Sequence, residues 1–205
     1  MGTGALQVIP IRIDINPVPS SPIDLQLVRD HLRVDGTEED HLIESYANAA
    51  LIAAEHITRR TIVAREHRWT LSDFPRDQDI RLPRGKTQSV KHIKYRRDGL
   101  QTLTGPTSAA PGTDYQENLS GDDGGLLLPV KGESWPDVDA DVVDPVVITF
   151  NAGWDTLPEP IVQAVLLIVG HWEQNRQSVV VGATTAEVPM SAQALLSSYM
   201  LTRWY

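Results

Sequence analysis

The sequence predicts an α+β fold, mainly α. Its core is four helices over about 23–35, 37–60, 158–177 and 191–200, with a small antiparallel β region inserted at about 65–150, an extended N-terminal arm and a C-terminal tail. Three observations predict it. Apolar residues recur at helical spacing on both sides of a central stretch. Between Ile62 and Phe150 the period falls to that of strands. Turn residues punctuate that stretch repeatedly, from Phe74-Pro75 to Trp135-Pro136.

Residues 1–22 are rich in proline. Val8, Ile9, Ile11, Ile13 and Ile15 favour an extended chain, while Pro10, Pro17, Pro19 and Pro22 exclude a central strand, so an arm lying on another surface is expected. A helix then starts at Pro22-Ile23-Asp24, with Leu25, Val28 and Leu32 on one face, and ends near Asp35-Gly36, where glycine can take the left-handed cap. Thr37 is expected to cap a longer helix whose first turn holds Glu38, Glu39 and Asp40, at the positive end of its dipole. Leu42, Tyr46, Ala49, Ala50, Ala53 and Ile57 form its apolar stripe, with small residues that admit a close neighbour. Arg59 and Arg60 close it.

Strands are expected at 65–71, 79–82, 90–95, 113–117, 125–128 and 146–150, with Asp98-Gly99 as a tight hairpin turn and loops over 104–112 and 131–145. Pro158 and Pro160 sit in the first turn of the third long helix, where a missing N–H costs nothing. Ile161, Val165, Ile168, Val169 and Trp172 share a face, and Val162, Leu166 and Leu167 widen it almost all round, as in a helix buried between neighbours. A loop over 177–190 leads to a short helix with Leu195, Leu196 and Tyr199 inward.

The composition narrows function. The chain has 205 residues, 41% hydrophobic and 22% charged, enough to bury a core and too apolar for wholesale disorder. With no cysteine it has no disulfide framework, thiolate zinc site or cysteine nucleophile. The longest apolar run, Ile161 to Gly170, is interrupted by Gln163 and too short to span a bilayer, so no membrane partner is expected. Met1 to Pro10 lacks the pattern of a secretory signal.

The formal net charge of -9 is unevenly spread. Arg59 to Arg97 holds 12 basic and 4 acidic residues; Asp114 to Glu159 holds 1 and 11. The two segments are either differently charged solvated faces or complementary surfaces, one copy's positive face meeting the next copy's negative face as ring interfaces allow. The overall acidity argues against broad nucleic-acid binding.

Catalytic and metal patterns are missing. Asp137, Asp139 and Asp141 imitate the opening of a calcium loop, but Val142 and Ile148 stand where that loop needs glycine and glutamate. Asp122-Asp123 sits in a Gly-rich turn. The histidines at 31, 41, 56, 67, 92 and 171 form no zinc-binding pair at helical spacing. There is no nucleophile elbow, phosphate loop or dinucleotide fingerprint. No enzyme activity and no cofactor are expected.

Three stretches, in order, carry a family resemblance. The first is Leu32-Arg33-Val34-Asp35 with Glu39-Asp40 and the Ala-rich helix through Glu55. The second is Leu82-Pro83-Arg84-Gly85 with Ser89-Val90, Ile93, Tyr95 and Asp98-Gly99. The third is Val147-Ile148-Thr149-Phe150-Asn151-Ala152-Gly153-Trp154, then Pro158-Glu159-Pro160-Ile161, Gln163-Ala164 and His171-Trp172-Glu173-Gln174-Asn175-Arg176. Pro189 and Ala194-Leu195-Leu196-Ser197-Ser198-Tyr199 complete it. Over about residues 20–203 the chain resembles the head–tail connector (adaptor, or head-completion) proteins of long-tailed double-stranded DNA phages, prophages and gene transfer agents.

The resemblance implies a single connector domain over 1–205, with an arm at 1–22, a β-rich insertion at 62–152 and a docking tail at 197–205. It implies a twelve-fold ring in the virion neck, assembled in the host cytoplasm, that docks on the portal, extends the DNA channel and offers a platform to the next head-closure or tail protein. Double-stranded DNA would pass without sequence-specific binding. Portal binding is implied for Ser197, Ser198, Tyr199, Met200, Leu201, Thr202, Arg203, Trp204 and Tyr205, a segment whose Arg and aromatics suit an interface. Subunit-interface or lumen roles are expected for Arg84, Lys86, Lys91, Lys94, Arg96 and Arg97, and for Asp122, Asp123, Asp137, Asp139 and Asp141; acidic groups facing the lumen would repel the duplex and keep it mobile. The rival readings are another neck protein (head closure or tail terminator) and a nucleic-acid-binding regulator that uses Arg84 to Arg97.

Overall fold

The structure, a computed structural model, describes residues 10–15 as backbone, and residues 22–75, 79–106, 112–175 and 187–201 in full. The chain divides into two compact units. A helical unit is built from Val18–Val63 and Trp154–Thr202; a β unit is built from Ala64–Gly153 and the N-terminal strand.

In the helical unit, α1 (Leu25–Leu32) starts at Asp24, whose carboxylate accepts the Gln26 N–H at 2.9 Å. It stops earlier than the sequence suggests: Arg33, not Gly36, takes the left-handed cap, with φ 57°. α2 (Asp40–Thr58) begins at Glu39 without a side-chain cap, so Thr37 does not serve as one. α3 (Glu159–Gln174) starts at Pro158 with proline in its first turn, as expected, and α4 is Met190–Ser197. The buried stripe of α2 is Ile43, Ala47, Ala50, Leu51, Ala54 and Thr58. Its spacing is that of the expected stripe moved on by one residue. Both phases are apolar, so periodicity fixes the spacing and packing chooses the phase. Tyr46, Ala53 and Ile57 flank the core half-buried, Leu42 is half-buried, and Ala49 faces solvent. α3 buries Ile161, Ala164, Val165, Leu166, Ile168, Val169 and Trp172, nearly all round its axis.

The β unit corrects the predicted fold class. Together with the four helices there are eight strands in two antiparallel sheets among the described residues, so the fold is not mainly helical and the β region is not a small insertion. The strands are β1 (Pro10–Ile15), β2 (Arg65–Leu71), β3 (Ile80–Arg81), β4 (Thr87–Arg96), β5 (Leu100–Leu103), β6 (Tyr115–Asn118), β7 (Leu126–Pro129) and β8 (Val146–Ala152). A five-stranded sheet runs β1-β2-β8-β4-β5 and a three-stranded sheet runs β3-β7-β6. β1 occupies an edge, where a proline's missing N–H is tolerated; the prolines excluded only a central strand, and part of the expected arm is a paired strand. β5 follows the Asp98-Gly99 turn, where both residues have positive φ. The rest of the expected arm, residues 1–9 and 16–21, lies outside the described residues.

Cross-strand register divides the five-stranded sheet into two faces. Trp69, Ile148 and Ile93 are aligned on one, as are Leu71, Val146 and Tyr95; they join Phe74, Leu82, Tyr115, Leu127 and Trp135 in a single core. Phe74 stacks parallel on Trp135 at 5.3 Å, and His67, fully buried, lies against Phe150 at 5.4 Å. Burial, then the nearby Glu117, push the Tyr115 phenol up to about 12.

Candidate functional site

The expected portal-binding segment is rooted in the helical unit. Ser197 ends α4, and its hydroxyl bonds back to the Ala194 carbonyl at 2.7 Å. Ser198 is exposed, Tyr199 is half-buried with its ring edge-on to Trp154 at 6.0 Å, and Met200 is exposed. Leu201 is buried, and its N–H donates to the Thr58 carbonyl at 3.0 Å, satisfying an orphan group at the end of α2. Arg60, only 4% exposed, donates through Nε to the Tyr199 carbonyl. Thus Tyr199 and Leu201 tie the segment to the ends of α2 and α4, with Ser198 and Met200 exposed between them. Thr202, Arg203, Trp204 and Tyr205 lie outside the described residues.

The expected basic residues fall into two groups. Lys94 and Arg96 lie in register on the sheet face opposite the core, with His92 between Lys94 and the Lys91 bulge. Ordinary alternation would separate Lys91 from His92. The register shift between Val90 and His92 inserts Lys91 as an extra residue, and its ammonium reaches the Glu66 carboxylate on this face at 2.5 Å. Arg68, the partner of Thr149 on β8, belongs to the same face. Its position was readable in the polar alternation Glu66, Arg68, Thr70 of β2. Between the cations lie Thr70, Ser89, Thr149 and Asn151, giving a shallow polar surface. Burial, then Lys94, hold the His92 imidazole below its ordinary value; Lys91 and Arg68 add to that and Glu66 opposes it.

Arg84, Lys86 and Arg97 lie outside strand β4, just before and just after it. Arg84 and Gly85 form a turn with φ 72° and 82°, and the Lys86 carbonyl accepts the Gly153 N–H at 2.9 Å. Arg97 is exposed on the turn between β4 and β5, its N–H bonded to the Gly99 carbonyl.

The expected acidic residues also separate. Asp122 and Asp123 are exposed in the turn between β6 and β7. Asp137 borders a shallow recess of about 150 Å³ lined by Asp73, Phe74, Pro75 and the Trp135 region. Asp139 is a structural clamp: its carboxylate accepts the Asp98 N–H at 3.2 Å, and its own N–H donates to the Arg96 carbonyl at 2.9 Å. The Pro145 carbonyl accepts the Arg96 N–H at 2.9 Å, so residues 131–145 form a strap pinned beside the end of β4, with Asp137 and Asp141 exposed along it. Among the described residues no group of three or more His, Asp or Glu is placed to hold a metal, and no helix is long and apolar enough to cross a membrane. The arrangement offers charge and shape for binding.

Periodicity does not signal Arg60, whose buried guanidinium holds the root of the tail. Arg68 and His92 carried a signal in strand alternation, once the bulge at Lys91 is known.

No protein-family profile matches the chain, and no curated protein does. Solved structures do. A chain in the neck of an empty gene transfer agent (GTA) particle computed with C6 symmetry aligns at TM-score 0.70 and 19% identity, over 95% of this chain and 98% of that one. A chain in the neck of a native GTA particle computed with C12 symmetry gives 0.69 and 20%, with the same coverage. A chain in the virion of a native GTA particle gives 0.64 and 22%, over 98% of both. The family resemblance read from the sequence is thereby matched at the level of the whole fold: this chain has the fold of chains found in gene transfer agent necks.

Proposed function

We propose that this protein is a structural component of the neck of a phage-type virion. Copies form a ring, twelve-fold by resemblance, that docks on the portal, continues the DNA channel and receives the next head-closure or tail protein. The observation that carries the reading is the near-complete mutual coverage with chains of GTA necks, 95% of this chain and 98% of those in the neck particles. A shared subdomain would leave one partner partly uncovered.

The portal grip falls to the C-terminal segment. Its root, Tyr199 to Leu201, is fixed by the ends of α2 and α4, which lowers the entropy cost of docking at the root. The charged surfaces of the β unit serve contacts between copies or the channel wall, where exposed carboxylates keep a passing duplex from sticking.

The test is to mix the purified chain with portal rings and image the product by electron microscopy. Rings stacked on the portal are expected. Truncation after Leu201 spares the anchored root, so it should abolish docking while leaving the thermal midpoint within about 4 °C of the full chain. Docking that survives this truncation removes the tail assignment; portals that stay bare with the full chain remove the neck reading.

A further inference from the structure

The polar face of the five-stranded sheet presents Arg68, Lys91, Lys94 and Arg96 around a floor of Thr70, Ser89, Thr149 and Asn151. Among the described residues of the β unit, the core lies wholly against the opposite face. Glu66 on this face pairs with Lys91, and by register Asp14 of β1 stands opposite Arg68 and Arg12 opposite Thr70; Lys94 and Arg96 have no ion-pair partner among the described residues. A cationic sheet surface of this kind can receive an anionic occupant.

We propose that this face seats the acidic strap, residues 131–145, of a second copy of this chain, and that the contact is the repeating interface of the ring. The inference rests on the neck reading and specifies its subunit contact. Three features select this occupant. The strap carries Glu133, Asp137, Asp139, Asp141 and Asp144 against the single cation Lys131. It is already ordered: Trp135 is stacked on Phe74 and Asp139 is bound to the turn at Asp98, while Glu133, Asp137 and Asp141 remain exposed. Little ordering entropy therefore opposes its docking. Every copy bears both surfaces, so face-to-strap contact is heterologous, the kind of contact from which rings are built, whereas face-to-face pairing would oppose like charges. Duplex phosphate is the competing anion, but it must approach a chain of net charge -9.

A charge exchange tests this. One variant carries Lys91→Glu and Lys94→Glu; the other carries Asp137→Lys and Asp141→Lys. Each alone opposes like charges at every contact and is expected to lower ring occupancy on portals about tenfold at low salt. Mixed in equal amounts, they can alternate around a ring with every face opposite a complementary strap, and occupancy should return. Should either double variant fail to fold, Lys94→Glu and Asp137→Lys make the same exchange.

Full rings from each variant alone, or no recovery in the mixture, would overturn the proposal while the wild-type chain still docking on portals leaves the neck reading intact. Wild-type chain that leaves portals bare defeats both. Binding of a short DNA duplex that is lost with Lys91→Glu and Lys94→Glu, with rings unaffected, gives the face to nucleic acid and also overturns it.

Discussion

The helical unit closes its polar ends inward, whereas the β unit leaves a charged face turned outward. In the first, the Thr58 and Tyr199 carbonyls at the ends of two helices are taken up by Leu201 and by the buried Arg60, residues far away in the chain. In the second, one side of the five-stranded sheet feeds a core of Trp69, Ile93, Ile148 and Phe150, and the other carries cations over small polar residues. A closed unit can hold a docking tail rigidly at its root. An open sheet face can meet another copy without first unfolding anything. The division of labour proposed for the neck follows from this contrast.

The strongest way to break the contrast is to remove the inner face of the sheet. Phe150 is fully buried on the central strand β8 and packs on His67, so Phe150→Ala should cost about 3–5 kcal/mol by lost burial and the cavity left behind. Hydrogen exchange should show amide protection falling most across β2, β4 and β8 and least across α3. Equal loss in α3 would mean that the two units do not hold their own stabilities.

A smaller effect sharpens the helical side. Arg60→Met keeps an apolar stem and removes the guanidinium, leaving the Tyr199 carbonyl without its donor in a part-buried site. The expected cost is about 1–3 kcal/mol, concentrated at α4 and Leu201. Faster exchange of the Leu201 amide, with β2 and β8 unchanged, is the signature; unaltered exchange at Leu201 would show that Arg60 does not secure the root.

The two units also differ in how far sequence reveals them. Helix existence was legible because Pro158, Asp24 and long apolar stripes mark starts and faces. The phase of α2 was not, because Ile43 and Leu51 compete with Leu42 and Ile57 and only tertiary packing decides. Seven residues of alternation marked β2, but β1 was hidden by prolines that an edge tolerates. The basic face was half-visible: Val90 and Ile93 both face the core at an odd spacing, which a regular strand forbids, and the bulge at Lys91 resolves it. The strap's acidity was plain, yet its use as a clamp on the hairpin at Asp98 depends on residues 41 positions apart, beyond any local pattern.

The least effect expected concerns His92, and it reads the electrostatics of the open face directly. Burial and then Lys94 lower its pKa from the ordinary 6.5, with Lys91 and Arg68 acting the same way and Glu66 the opposite. The unfolded chain therefore takes up this proton at a higher pH than the native one. Where the unfolded state binds more protons, stability rises with pH, so this contribution is present above about pH 6.5 and is lost as the pH falls through the lowered native value. His92→Gln keeps a polar side chain and removes the titration. Urea midpoints of wild type and variant, compared from pH 7.5 downwards, should separate on the acid side, where wild type falls and the variant shows the flatter profile. Seating an acidic strap on the face would add carboxylates near the imidazole and move its pKa back upward, so in assembled rings the His92 titration should shift to higher pH than in the free chain. A titration unmoved by assembly would mean that no carboxylate approaches His92, and would place the subunit contact on another surface.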